Sequence, residues 1–363
     1  MRILVLLTDA YGGRGGIAQH NRHLLEALCS APGVEEVVAL PRVILDPIGR
    51  LPDRLTYRVE AAGAKWQYAG SVLRELAGSG RFDLVISGHL NLLPFAVLAK
   101  VRYGARLIQI VHGIEAWSDP GAFKRRLVRL VDRLVSVSDF TRRKVQAWAS
   151  LSEEHTVVIP NCIDLSRYGP GPKRADLVAQ YGLEGKKVIM TLSRLSASER
   201  YKGHDQILEV LADVVAHVPN VVYLIAGNGD DRPRLEAKAR TLGLVDRVVF
   251  AGYVPEADKL DILRLADVFA MPGRGEGFGI VYLEALACGI PVVASSADAS
   301  REAVLDGALG TIVDPDRPAE LLSSLSTVIN TPRSASGVGA LATFSRSAFY
   351  TRWHGLVRSP TDE

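Results

Sequence analysis

Residues 272–295 read PGRGEGFGIVYLEALACGIPVVAS. Gly275, Gly277 and Gly279 leave the first half without side chains, except for Glu276 and Phe278 around them. The run that follows has helical character and carries Glu284. Gly289 and Pro291 end it, and the apolar Val292–Ala294 reads as a strand. A glycine turn that opens a helix leaves the N–H groups of Phe278 to Val281 unpaired and open to close approach, which suits a phosphate. Two carboxylates eight residues apart, Glu276 in the turn and Glu284 one helical turn inside, flank that position. They are placed to reach two different parts of one phosphate-bearing ligand.

The turn belongs to a larger grammar. Upstream of it, apolar runs at Val188–Leu192, Val221–Ala226, Val248–Ala251 and Val268–Met271 alternate with helical stretches such as Leu235–Leu242 and Asp258–Leu265, and Thr311–Val313 follows the last strand of the quoted stretch. The first half repeats the pattern at Arg2–Leu7, Val37–Leu40, Leu84–Ser87, Leu107–Val111, Leu134–Val137 and Val157–Ile159, with a helix from about Ile17 to Ser30. Short apolar strands separated by helices predict parallel sheets covered on both faces. The segment 164–174, DLSRYGPGPKR, reads as a linker. The expectation is an α/β chain of two Rossmann-like, doubly wound domains, over 1–165 and 166–343. An aromatic-rich helix over 344–357, within a last segment 344–363, is expected to cross back onto the first domain.

Length, composition and charge narrow the function. The 363 residues suffice for two cores, and 48% apolar with 23% charged residues is globular. The net charge of +3 and the lack of a basic run interleaved with aromatics argue against nucleic acid. Residues 1–165 hold 21 Lys+Arg against 16 Asp+Glu, while the remainder holds 22 against 24, so an anionic acceptor or surface should meet the first half. Three scattered cysteines, Cys29, Cys162 and Cys288, predict a reducing compartment with no disulfide framework and no metal spacing. With no signal peptide and no apolar run long enough to span a bilayer, a cytoplasmic location is expected.

Further candidates lie at strand ends, where open α/β sheets bind ligands. His112 and Gly113 follow Leu107–Val111, with Glu115 and Asp119 in the same loop. Arg194 and Lys202 lie just after Val188–Leu192 and together can neutralise a diphosphate, one as a fork and one as a point charge. Gly227 and Gly229 follow Val221–Ala226 and read equally well as an ordinary turn. Gly13, Gly15 and Ala18 imitate a dinucleotide fingerprint, with Glu35 and Glu36 downstream, but the turn is too long and the acids precede the next strand. Asp314 and Asp316 form a D-x-D that reads as a proline turn remote from the cations. Phe123 to Arg133 is a basic amphipathic run, suited to an anionic membrane surface or to covering the sheet. No metal site and no nucleophile with a base stand out.

Assembled, these residues resemble the retaining glycosyltransferases of family 4, with the two-domain GT-B fold and a central cleft. The resemblance runs over essentially the whole chain. It is carried by the E-x7-E pattern of Glu276 and Glu284, by SRL and YKGHD around Arg194 and Lys202, and by GGRGGIAQHNRHLLEAL, VHGIE at His112, DRLVSVSDFTRR at 132–143 and IPNCID at 159–164. It implies that Arg194 and Lys202 hold the diphosphate of a nucleotide sugar and that Glu284 binds the ribose. Glu276 would touch the donor sugar, helped by the main chain of Gly277, Phe278, Gly279 and Ile280. Gly227 would also line the donor site, and Tyr253 and Val254 would lie near the base. Gly15, Gly16 and His112 would face the donor from the first domain. An extended SASERY connection makes Arg200 a rival for Lys202, whose register with the following helix favours it.

The expected activity is transfer of a hexose, with retention, from a UDP- or GDP-sugar to an acceptor hydroxyl. The acceptor would be a lipid-linked or surface-polysaccharide glycan. Glu276, His112, Arg194 and Lys202 form the catalytic set, with neither metal nor cofactor, and peripheral contact with the inner face of the cell membrane would run through 123–133. Rival readings are an epimerase on the same fold, an NAD-dependent oxidoreductase and a non-catalytic binding module.

Overall fold

The computed structural model describes residues 1–334 and 338–358 and divides into two compact units, Met1–Cys162 with Phe344–Glu363, and Ile163–Thr343. In the first unit the elements are β1 (Arg2–Leu7), α1 (Gly15–Ser30), β2 (Glu36–Pro41), β3 (Leu55–Tyr57), α2 (Lys65–Ala77), β4 (Leu84–Ser87), α3 (Leu93–Tyr103), β5 (Arg106–Val111), α4 (Ala122–Val128), β6 (Arg133–Ser136), α5 (Asp139–Ala149) and β7 (Thr156–Val158). The strands form one parallel sheet of order β3-β2-β1-β4-β5-β6-β7. β1 is apolar throughout after Arg2 because both faces of a central parallel strand are covered. One face carries α2 to α5, packed through Tyr68, Val72, Ala96, Val128 and Val145; the other carries α1 through Leu24, Leu25 and Leu28.

The second unit contains α6 (Ala175–Gln180), β8 (Lys187–Leu192), α7 (His204–His217), β9 (Val221–Ala226), α8 (Arg232–Thr241), β10 (Val248–Gly252), α9 (Lys259–Leu263), β11 (Val268–Ala270), α10 (Ile280–Ala287), β12 (Val292–Ser295), α11 (Ser300–Ala303), β13 (Thr311–Val313) and α12 (Pro318–Val328). Its strand order is β10-β9-β8-β11-β12-β13, all parallel. The order reverses direction between β8 and β11. Loops leaving those two strands diverge to opposite sides and open a crevice, the place where doubly wound sheets bind ligands.

The last helix, α13 (Arg346–Val357), returns to the first unit. Phe349, Trp353 and Val357, spaced four apart, are buried there. Arg346 and the Tyr350 hydroxyl both reach Glu26 Oε2 on α1 at 2.7 Å. The Arg106 guanidinium donates to the carbonyls of Leu356 and Arg358 at 3.2 and 3.1 Å. Residues 359–363 of the expected last segment lie outside the described residues.

Three differences from the sequence reading have local causes. β3, three residues long at the sheet edge, is too short for a periodic pattern. The basic run 123–133 is not one helix: α4 stops at Val128, and the chain turns before β6. Asp132 makes that turn, because its Oδ2 accepts the Leu107 N–H at 2.7 Å and Lys100 Nζ at 2.6 Å. The linker is also not a bare spacer, since Tyr168 within it is buried.

Candidate functional site

The crevice at the switch between β8 and β11 gathers most of the candidates in the second unit. Lys202 Nζ lies 2.7 Å from Glu276 Oε2, and both side chains are mostly buried. Burial pulls the Lys202 pKa down, but the Glu276 charge and hydrogen bond outweigh it and leave the ammonium above its ordinary value. The glycine turn is packed so tightly that it admits no side chains. A Cβ on Gly275 would sit 2.3 Å from the Tyr201 ring, and one on Gly273 2.4 Å from the Tyr201 carbonyl. Gly279 has φ +86°, and a Cβ there would meet the Tyr282 ring at 2.3 Å. Phe278 and Ile280 are buried, so what this turn offers at the N-terminus of α10 is its main chain.

The two other cations of this region differ. Arg194 is 71% exposed and pairs with Glu199. Arg200 is drawn away, with Nε 2.9 Å from Asp231 Oδ1, so Lys202 and not Arg200 meets Glu276. Asp231 is also bound by Arg234, which has a double hydrogen bond to Asp205, so Arg200 belongs to a surface network.

Glu284 lies deeper, 1% exposed. Its Oε1 accepts from Tyr168 at 2.9 Å and from Lys259 at 2.8 Å. Burial depresses Lys259, and the charges of Glu284 and Glu256 more than restore it. Neither Tyr168, in the supposed linker, nor Lys259, opening α9, stood out in the sequence. Tyr253 and Val254 follow β10, with the Tyr253 ring exposed.

Two further sets were missed. Asp298 is fully buried behind Glu276, whose N–H it accepts at 3.0 Å. Beneath β8, Thr191 donates to the Ala270 carbonyl at 2.5 Å and lies 2.8 Å from the Tyr223 hydroxyl. That hydroxyl contacts His204 Nδ1 at 2.9 Å, and His204 Nε2 contacts Ser193 Oγ at 2.9 Å. The carbonyl at the end only accepts, so the chain runs one way and His204 Nε2 accepts a hydrogen bond from the Ser193 hydroxyl. Burial holds His204 down at about 4, which keeps it neutral. Only the lone KGHD histidine signalled this network in the sequence.

Gly227 is explained by packing. A Cβ would lie 1.8 Å from the Ser193 carbonyl, and the Gly227 N–H donates to Gly252 at 2.8 Å. Asp316 is not remote from the turn as the D-x-D reading had it: it pairs with Arg274, two residues from Glu276. No group of three or more His, Cys, Asp or Glu placed to hold a metal occurs among the described residues.

In the first unit, Gly15 and Gly16 open α1, and nothing lies within 4 Å of a Cβ on either. Gly12 and Gly13 differ, since a Cβ would strike Asp46 or Asp9. The dinucleotide reading fails on its acids: Glu35 pairs with the N-terminus at 2.9 Å and Glu36 with Arg2 at 2.7 Å. His112 is buried at the end of β5. Its Nε2–H donates to the Gly88 carbonyl at 2.8 Å, leaving Nδ1 as an acceptor. The His20 ring stands edge-on to it at 4.9 Å. Glu115 accepts the His112 N–H at 2.5 Å, and Asp119 holds Arg125 and the Gly121 N–H, so both acids shape the loop.

Residues 14–167 match the description Glycosyltransferase Family 4, and residues 173–340 match Glycosyl transferases group 1. The chain is 31% identical over 335 residues to phosphatidyl-myo-inositol mannosyltransferase of Mycolicibacterium smegmatis, covering 87% of this chain and 81% of that one. It is 37% identical over 238 residues to the GDP-mannose-dependent alpha-(1-6)-phosphatidylinositol monomannoside mannosyltransferase of the same organism, a match covering 61% of each. The chain belongs to the family 4 glycosyltransferases. Two solved structures are similar over 98% of both chains: Anabaena HepE in complex with UDP and glucose, with TM-score 0.76 and 23% identity, and sucrose-phosphate synthase from Thermosynechococcus elongatus, with TM-score 0.79 and 20% identity. At that identity they bear on the fold alone, which is GT-B.

Proposed function

We propose that the protein transfers a hexose, with retention and without a metal ion, from a UDP- or GDP-sugar to a hydroxyl of a lipid-linked or surface-polysaccharide acceptor. The observation that carries this reading is the Lys202–Glu276 pair at the N-terminus of α10, beside the switch between β8 and β11. Lys202, the exposed Arg194 and the main-chain N–H groups of Phe278 to Val281 supply positive potential for a departing diphosphate. Glu276, once Lys202 turns to phosphate, is free to accept hydrogen bonds from sugar hydroxyls. Glu284, anchored through Oε1 by Tyr168 and Lys259, holds the ribose. Tyr253 and Val254 border the base. In the first unit, the main chain at Gly15 and Gly16 is open and His112 lies at the end of β5, the kind of strand end where such sheets bind ligands. The leaving phosphate itself takes the acceptor proton, so no side-chain base is required. The two mycobacterial relatives are named for phosphatidylinositol acceptors, and one of them for GDP-mannose, which supports a lipid acceptor and a GDP-sugar donor.

The membrane face is wider than the run 123–133. Trp66, Leu73, Leu98, Val101, Phe123 and Leu130 are exposed on α2, α3, α4 and the turn after it, and these helices are neighbours on one side of the sheet. Lys65, Arg74, Arg102, Arg126 and Arg129 lie among them and make no ion pair with the described residues. Exposed apolar groups ringed by unpaired cations suit an anionic bilayer surface. No described helix is long and apolar enough to cross a membrane.

The test is a thermal-shift panel of UDP, GDP, ADP and their sugars, since a ligand bound only by the folded state raises Tm. One nucleotide and its sugar should raise Tm in the presence of EDTA. Failure of every nucleotide to do so would sink the reading.

A further inference from the structure

The Glu276 turn is gripped from two sides, and only one side belongs to the presumed donor site. On the near side, the Arg274 N–H donates to the Tyr201 carbonyl at 2.9 Å, and Lys202 pairs with the Glu276 side chain. On the far side, Asp298 Oδ2 accepts the Glu276 N–H at 3.0 Å, and the Ala299 N–H donates to the Glu276 carbonyl at 3.0 Å. Both main-chain polar groups of Glu276, its N–H and its carbonyl, are therefore fixed by residues 298–299. Asp298 Oδ1 is itself held by the Ser300 N–H at 3.0 Å and the Ser300 hydroxyl at 2.6 Å.

Asp298 is an expensive residue for such a task. It is fully buried, and no cation pairs with it among the described residues. The groups facing it are Glu276 from the turn, Tyr282 from α10 and Ser300 from α11, with Lys202 beyond Glu276. Burial, with a smaller push from the Glu276 charge, raises it to about 6 against the pull of its hydrogen bonds. A neutral acceptor would hold a loop with less penalty. What the carboxylate adds is a strong, charge-assisted hold on one main-chain N–H.

We propose that Asp298 is a positioning residue for the sugar end of the donor: it fixes the main chain of Glu276, so that the Glu276 carboxylate keeps its place when Lys202 turns to phosphate. This rests on the reading of Glu276 as a contact to the transferred sugar. Asp298 touches no ligand; it acts through Glu276. A sugar contact held by a rigid turn keeps its geometry on binding, whereas a loosened turn must be ordered at that moment.

Two measurements separate this proposal from the reading it rests on. The first needs no ligand: hydrogen exchange of the peptide covering residues 272–282, in wild type, Asp298→Asn and Asp298→Ala. Exchange at Glu276 should be roughly tenfold faster in Asp298→Ala, the change expected for a lost hydrogen bond to a charged group, and intermediate in Asp298→Asn, which keeps an acceptor. The second is titration with GDP-mannose, GDP, UDP-glucose and UDP. Asp298→Ala should lower affinity for the sugar form that wild type binds by roughly tenfold while leaving the nucleoside diphosphate within about twofold, with Asp298→Asn rescuing most of the loss. Unchanged exchange in Asp298→Ala overturns the proposal. So does an equal loss of sugar-nucleotide and nucleoside diphosphate affinity, which marks a merely structural role. Faster exchange with no nucleotide bound by wild type keeps Asp298 as the anchor of Glu276 and overturns the donor reading instead.

Discussion

Lys202 and Glu276 make a 2.7 Å ion pair with each other, although each is assigned to a different part of the donor. In this pair each side chain masks the other. Lys202→Ala is expected to weaken nucleoside diphosphate binding at least tenfold, consistent with about 1.5–3 kcal/mol for a hydrogen bond to a charged group. Arg200→Ala, whose guanidinium serves Asp231, should change it by less than about twofold, the scale of an exposed ion pair; calorimetric titration with UDP and GDP reads both. Glu276→Ala should reduce turnover far more than nucleotide affinity, whereas Glu284→Gln should weaken nucleotide binding itself. Equal loss of nucleotide affinity in the two variants would undo that division. Asp298 gives a pH signature. A carboxylate raised to about 6 favours the fold below its ordinary value near 4, and that contribution is lost as pH rises through about 6. Relative to Asp298→Asn, wild type should therefore lose up to about 3 kcal/mol between about pH 4 and about pH 6, whatever constant offset the exchanged hydrogen bonds leave. All four tryptophans lie in the first unit, so urea melts followed by circular dichroism must report this one; a pH-independent difference would refute it. Lys202 and Glu276, which the structure brings together, were legible in the sequence because a strand end and a glycine turn announce them. Asp298, Tyr168 and Lys259 were not, because their partners lie 22, 116 and 25 residues away and leave no local pattern.

At the scale of elements, buried parallel strands were the most readable feature, since continuous apolar runs survive without periodicity. Among the described residues, twelve of the thirteen strands lie where such runs occur, and the missing one is the three-residue edge strand β3. Amphipathic appearance misled at 123–133, where one side chain, Asp132, redirects the chain into β6. The pattern showed which residues are apolar and basic but not where the main chain would turn. α13 was legible from its aromatic-rich composition, and its energetics can be checked. Trp353 is fully buried against α1 and the sheet. Trp353→Ala should destabilise the first unit by about 3–5 kcal/mol, the range for large-to-small changes of buried aromatics. The remaining tryptophans, Trp66, Trp117 and Trp148, report that loss by fluorescence. A shift below about 1 kcal/mol would mean that the helix contributes little to this core.

For the molecule as a whole, the excess of positive charge in the first 165 residues now has a location. Cations that make no ion pair with the described residues collect on α2 to α4 and the turn after it, beside exposed Trp66 and Val101. Flotation with vesicles containing anionic lipid should carry the protein upward, and a Trp66→Ala, Arg126→Glu double variant should remain below. Binding equal in neutral and anionic vesicles would count against this surface. The passage of α13 back to the first unit has a consequence for synthesis. The chain crosses between units twice, after Cys162 and again before Phe344, so the second unit is continuous and the first is not. A ribosome completes every residue of the second unit before it makes the helix that seals the first. The amino-terminal unit, begun first, is finished last, and until then the patch on α1 that will receive Phe349 and Trp353 stands uncovered for a chaperone to shield.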